Sequence, residues 1–155
     1  MSILVMPFYR YVPDSDDFST FQVEREDARR FVYELYHNDS SVAQSWEPVK
    51  VHTVEKRPRG DGDFPAMMGY TELPIMSERA WEVLYPLIGT RCERLPIIHP
   101  SGKLYFIAHI LRAFDCLNVR RSVVTRNPMS AQITCVEKYC FKSVRFRGQA
   151  LFRLP

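Results

Sequence analysis

Four histidines (His37, His52, His99, His109), four cysteines (Cys92, Cys116, Cys135, Cys140) and the pair Asp61/Asp63 are the residues best able to act on a substrate or hold a metal. A catalytic imidazole needs a nucleophile or an orienting group within hydrogen-bond reach, and the dispersed histidines share no motif with one. An enzyme would therefore have to gather at least two of His52, His99, His109, Asp63 and Asp115 into one concave pocket by folding. Cys135 and Cys140 lie five apart in an expected strand, and that odd spacing places them on opposite faces, away from a shared metal. Gly60-Asp61-Gly62-Asp63 has oxygen donors on a flexible loop, but no bidentate acid follows at calcium-loop distance, so it reads as a solvated turn.

The sequence contains no G-x-G-x-x-G, Walker-type, G-x-S-x-G, H-E-x-x-H or C-x-x-C pattern, so dinucleotide, P-loop, hydrolase-elbow, zincin and dithiol chemistries have no local support. No metal or cofactor is expected. The aromatic Leu104-Tyr105-Phe106 lacks the glycine and basic positions of a base-stacking sheet, which counts against nucleic acid.

With 155 residues and 46% hydrophobic composition, the chain can bury a core without a disulfide or metal. No membrane-length apolar run and no secretion signal are seen, so a cytoplasmic protein with free thiols is expected. Charge divides unevenly at Gly102: residues 1–102 hold 11 Lys and Arg against 16 Asp and Glu, net −5, while residues 103–155 hold 10 against 2, net +8. Either the two halves fold over each other and compensate, or a charged face is left for a partner.

The elements that must position these residues follow from periodicity and punctuation. Ile3 to Tyr11 predicts a strand. Ala28, Phe31, Val32, Leu35 and Tyr36 recur at helical spacing within Glu24–Asn38, behind an acidic first turn. Pro48 to Glu55 alternates as a half-buried strand, and Lys56 to Gly69 reads as a loop. Ser77 caps a helix from Glu78 to about Tyr85, where Pro86 should kink or end it. Strands are expected at Arg91–His99, Leu104–Ala113, Asn118–Thr125, Gln132–Phe141 and Leu151–Leu154, with Pro100-Ser101-Gly102 as a hairpin turn. Trp46 and Trp81 adjoin apolar positions and should anchor the core. The resulting fold class is α+β: a single domain with a mostly antiparallel sheet and two or three packed helices.

Several pieces, in order, carry a resemblance. They are Trp46-Glu47-Pro48 before a strand, Asp63-Phe64 in the loop, and Ser77-Glu78-Arg79-Ala80 opening a helix. Leu95-Pro96, Tyr105-Phe106, Phe114-Asp115-Cys116-Leu117-Asn118 running to Ser122, and Leu151-Phe152-Arg153-Leu154 continue the series. Over residues 46–154 the chain resembles a bacterial immunity-protein family of polymorphic toxin systems, number eleven of the immunity families and earlier a domain of unknown function. Asn118 stands where that family commonly has a second acid.

The resemblance implies a non-enzymatic cytoplasmic inhibitor that binds a cognate toxin and carries no catalytic residues. Two candidate faces could meet the toxin: an acidic cluster of Asp14, Asp16, Asp17, Glu24, Glu26 and Asp27, or a basic stripe of Arg120, Arg121, Arg126, Arg145 and Arg147. The alternative is a small-molecule or nucleic-acid binding module that uses the basic C-terminal sheet.

Overall fold

The computed structural model describes residues 9–36, 40–55, 59–70, 72–89, 91–111 and 113–142. The strand expected at Ile3–Tyr11 lies partly outside these residues, and Tyr9 to Tyr11 are irregular. The strand at Leu151–Leu154, with Phe152, and the basic residues Arg145 and Arg147 lie outside them altogether.

Six strands form the main sheet: β1 (Thr20–Val23), β2 (Val49–Thr53), β3 (Ala66–Met67), β4 (Ile75–Ser77), β5 (Cys92–Ile98) and β6 (Leu104–Ile110), in the order β3-β1-β2-β5-β6-β4. The sheet is mixed. β1–β2, β5–β6 and β4–β6 pair antiparallel, whereas β1–β3 and β2–β5 pair parallel. The long β5–β6 hairpin turns at Pro100-Ser101-Gly102, where Gly102 takes the positive φ of 74° that the turn needs.

Alternation divides the sheet's side chains into two layers. Phe21, Val23, Val49, Val51, Leu95, Ile97, Tyr105 and Ile107 face one side, where Phe31 and Leu35 of α1 (Arg25–Phe31, continuing as a π-helical turn Val32–Tyr36) pack on them. The expected helical stripe therefore docks on the sheet, as Phe31 and Leu35 require. Trp46 is partly buried against this core, and its Nε1–H donates to the Pro96 carbonyl at 2.9 Å. On the opposite face α2 (Glu78–Ile88) lays Ala80, Trp81 and Ile88 over Met76, Cys92, Phe106 and Ala108.

The α2 N-terminus matches the sequence reading: the Ser77 hydroxyl accepts from the Ala80 N–H. Its C-terminus corrects it, because the helix runs through Pro86 to Ile88. Pro86 lies in the last turn, so it forfeits one backbone bond, to Glu82, and both residues sit on the exposed side of the helix. Three short strands go beyond the sequence reading: β1, β3 inside the expected Lys56–Gly69 loop, and β4.

The C-terminal strands do not extend the main sheet. Residues 118–122 form a turn, and β7 (Val123–Arg126) and β8 (Ile133–Lys138) pair only with each other as a two-stranded antiparallel ribbon with two register shifts. The ribbon's base is tied down. Leu117 bridges Phe141, the Asn118 N–H donates to the Cys140 carbonyl at 2.7 Å, and the Ser122 hydroxyl donates to the Asn118 carbonyl and accepts from the Cys140 N–H.

Candidate functional site

His52, His99, His109, Asp63 and Asp115, the candidates for a catalytic set, each have a structural partner. His52 and His99 fall on opposite faces of the sheet, His52 at 2.9 Å from Glu24 and His99 stacked against Phe21 with its ring centroid 4.5 Å away. His99 Nδ1 accepts from the Ser101 N–H, and burial holds this imidazole below its usual pKa, hence neutral. His109 sits at the far end of the β5–β6 hairpin, on the order of 20 Å along the strands from His99. There it pairs with Glu93 at 3.0 Å. His37 lies outside the described residues.

Asp63 accepts from the Ser77 hydroxyl at 2.5 Å and pairs with Arg79, which together hold its carboxyl below the usual range. Asp115 pairs with Lys142 at 2.9 Å, and Asp61 with Lys103 at 2.9 Å. All four cysteines are free thiols, with Cys92 and Cys116 buried. Among the described residues no three His, Cys, Asp or Glu side chains gather at a metal-sized site.

Several of the described residues that carry the resemblance likewise hold elements of the fold together. Asp63 and Ser77 pin the 60–65 loop to the start of α2, where Glu78 also reaches Arg94 at 3.4 Å and Ala80 is buried. Trp46 reaches Pro96, Tyr105 donates to the Gly62 carbonyl at 3.1 Å, and Ser122 closes the ribbon's base. Phe64 meets Tyr11 edge-on, while Pro48 is exposed just ahead of β2.

The candidate acidic face does not assemble. Asp14, Asp16 and Asp17 precede β1 and Glu24 follows it, so the strand holds the two groups on the order of 20 Å apart. The second group is also consumed internally: Glu24 meets His52, Glu26 meets Lys50 at 2.9 Å, and Asp27 binds Arg30 at 3.0 Å and the Lys50 N–H at 2.8 Å. Asp14 turns inward to accept from the Asp16 and Asp17 N–H groups. A shallow depression of about 600 Å³ lies beside these pairs, lined by Glu24, Arg25, Glu26, Lys50, Val51, Ile98 and Pro100. Most of its charged lining is already paired.

The basic stripe is different. Arg120 and Arg121 lie exposed in the turn before β7, and Arg126 and Lys138 lie exposed on the ribbon. Among the described residues none of the four has an acidic partner in an ion pair; Arg126 donates only to the Ala131 carbonyl. Both faces of the ribbon are open, with only Val124 and Val136 half-buried. Lys138 and the ribbon's apex, Asn127 to Gln132, were absent from the candidate residues. Their signal was present in two β-branched runs, Val123–Thr125 and Ile133–Val136, flanking Asn-Pro-Met-Ser-Ala-Gln.

No helix among the described residues is long and apolar enough to cross a membrane. No family model and no curated protein matches the chain.

Proposed function

We propose that this chain is a non-enzymatic immunity protein that acts in the bacterial cytoplasm and neutralises a cognate toxin domain by direct protein–protein binding through the β7–β8 ribbon. The observation that carries the reading is the ribbon and the turn that leads into it, an exposed segment whose four cations, Arg120, Arg121, Arg126 and Lys138, have no acidic partner among the described residues. A two-stranded ribbon adds little stability of its own, and free cations raise the encounter rate with an acidic partner and discriminate against basic ones. The rest of the chain supplies a packed platform, since described residues that carry the resemblance, among them Trp46, Asp63, Ser77 and Tyr105, tie loops and α2 to the sheet.

A second reading rests on the same cations, namely a nucleic-acid binding module. Phosphate contacts make affinity fall steeply with salt. The test of both is co-purification of the full chain with the product of the adjacent gene at two salt concentrations, beside a titration with short RNA and DNA oligonucleotides. A complex that abolishes the gene product's toxicity is the expected result. Absence of that complex, or a stronger salt-dependent complex with oligonucleotides, overturns the immunity reading.

A further inference from the structure

The ribbon's apex is built unlike its shaft. Between Arg126 and Ile133 the chain reads Asn-Pro-Met-Ser-Ala-Gln, with no charge and no aromatic ring. Asn127 Oδ1 accepts from the Met129 N–H at 2.8 Å and from the Ser130 N–H at 3.3 Å, while the Ala131 N–H donates to the Asn127 carbonyl at 2.9 Å. Arg126 adds a clasp from its guanidinium to the Ala131 carbonyl at 2.6 Å. Ala131 is held at φ 57°, a left-handed conformation that a residue other than glycine adopts only when its surroundings enforce it. The loop is thus held by its own hydrogen bonds, and the large apolar side chain it presents is Met129, 96% exposed.

We propose that Met129 is the apolar anchor of the interface, seated in a pocket of an acidic protein surface while Arg120, Arg121, Arg126 and Lys138 meet the carboxylates around it. This rests on the partner-binding reading above and adds the chemistry of the partner. An uncharged apolar tip behind which cations are set resembles the usual anatomy of a protein interface, with a desolvated centre and a charged rim. A thioether on an unbranched stem adapts to the shape of such a pocket. Two other occupants fit less well. A second copy of the ribbon would bring like charges together, because Glu137 is its one acid between Val123 and Lys138 and that carboxylate engages Thr125. A nucleic acid would be gripped by free cations or rings at the tip, whereas the tip has no ring and its one cation, Arg126, is turned back onto the Ala131 carbonyl.

The experiment uses the purified full chain, the purified product of the adjacent gene and a short duplex DNA, with affinities measured at low and physiological salt. Met129→Ser is the first variant, and at 96% exposure it leaves the melting temperature unchanged. It is expected to weaken binding by about thirtyfold or more at both salts, the scale of loss that marks an interface anchor. Arg120→Ser with Arg121→Ser is expected to weaken binding mainly at low salt, and Val83→Ser on the exposed side of α2 to leave it unchanged. If the complex forms and Met129→Ser binds as tightly as the parent, the anchor is wrong and the partner-binding reading stands. If the gene product does not bind, or the duplex binds instead, both fall together.

Discussion

Glu93 offers the sharpest stability test, because a carboxylate with one-tenth of its side chain exposed holds together parts of the chain far apart in sequence. It accepts from the Ser41 hydroxyl, from the Val42 N–H at 3.0 Å and the Ala43 N–H at 3.3 Å, and it meets His109 at 3.0 Å across the β5–β6 pair. Removing this acceptor strands its part-buried donors, at about 1–3 kcal/mol for each group left unpaired. Because the donors at Ser41 and Ala43 can turn to water, the loss falls mainly on the Val42 N–H and His109, and Glu93→Ala should cost about 3 kcal/mol. Glu93→Gln keeps one acceptor oxygen and should cost about 2 kcal/mol. Burial pushes this carboxyl up, but the hydrogen bonds from Ser41, Val42, His109 and Ala43 outweigh it, leaving the pKa below its ordinary 4.5. A depressed carboxylate pKa stabilises the fold above the unfolded value and loses that contribution as pH falls through the folded one. Urea unfolding of parent and Glu93→Gln, followed by tryptophan fluorescence from pH 7 to pH 3, should show a constant gap down to about pH 4.5 that closes below it. A gap under about 1 kcal/mol at neutral pH, or one that persists unchanged into acid, refutes the clamp.

Ser77→Ala should cost about 0.5–2 kcal/mol through loss of the Ala80 cap, and an unchanged urea midpoint would place the start of α2 elsewhere. Trp46→Phe deletes the donor to the Pro96 carbonyl while keeping most of the ring's packing, so a loss of about 1–2 kcal/mol is expected in the same assay, and no loss would show that this bond is replaced by water. A thiol reagent at pH 8 should label exposed Cys135 promptly and reach Cys92 and Cys116 only after denaturant, since burial pushes the Cys92 thiol up to about 11; prompt labelling of Cys92 would refute its burial. Charge reversal at Arg120 and Arg121 should slow association with the adjacent gene's product by tenfold or more at low salt and change dissociation less, and an unchanged association rate would remove the ribbon's cations from the encounter.

How much of this was legible in the sequence depended on the length of the signal. Ser77 ahead of Ala80, Trp81, Leu84 and Ile88 announced α2, and the apolar runs on either side of Pro100-Ser101-Gly102 announced the central hairpin, because seven-residue strands are long enough to show as runs bounded by a turn. The strands β3 and β4, of two and three residues, have no periodicity to read and exist because Phe21 and Ile107 offer them backbone partners. The parallel pairing of β2 with β5 is a tertiary choice that leaves no local trace. Pro86 misled because the cost of a proline depends on its distance from the helix end. The candidate site was half legible: Arg120, Arg121 and Arg126 were visible as a basic run, whereas Met129 gained meaning only when the loop around it proved rigid.

The uneven charge along the chain left two explanations open, and the ion pairs among the described residues bear on both. Compensation between the halves would require acids before Gly102 to pair with bases after it. Among the described residues the pairs that cross this division are Asp61–Lys103 and Glu93–His109, and the second involves a histidine, whose charge depends on protonation. The remaining pairs stay on their own side: Glu24–His52, Glu26–Lys50, Asp27–Arg30, Arg30–Glu34, Asp63–Arg79 and Glu78–Arg94 in the first half, Asp115–Lys142 in the second. Among the described residues the first half pairs Arg30, Lys50, Arg79 and Arg94 with its own acids, and the second has too few acids to do the same. Among the described residues Arg120, Arg121, Arg126 and Lys138 keep their charge exposed on the ribbon and the turn before it, where screening over about 8–10 Å in physiological salt still permits a nearby acidic surface to feel it. An element that neither buries a core nor satisfies its own charge is stabilised further by whatever supplies both, and this is the physical content of assigning the ribbon to a partner.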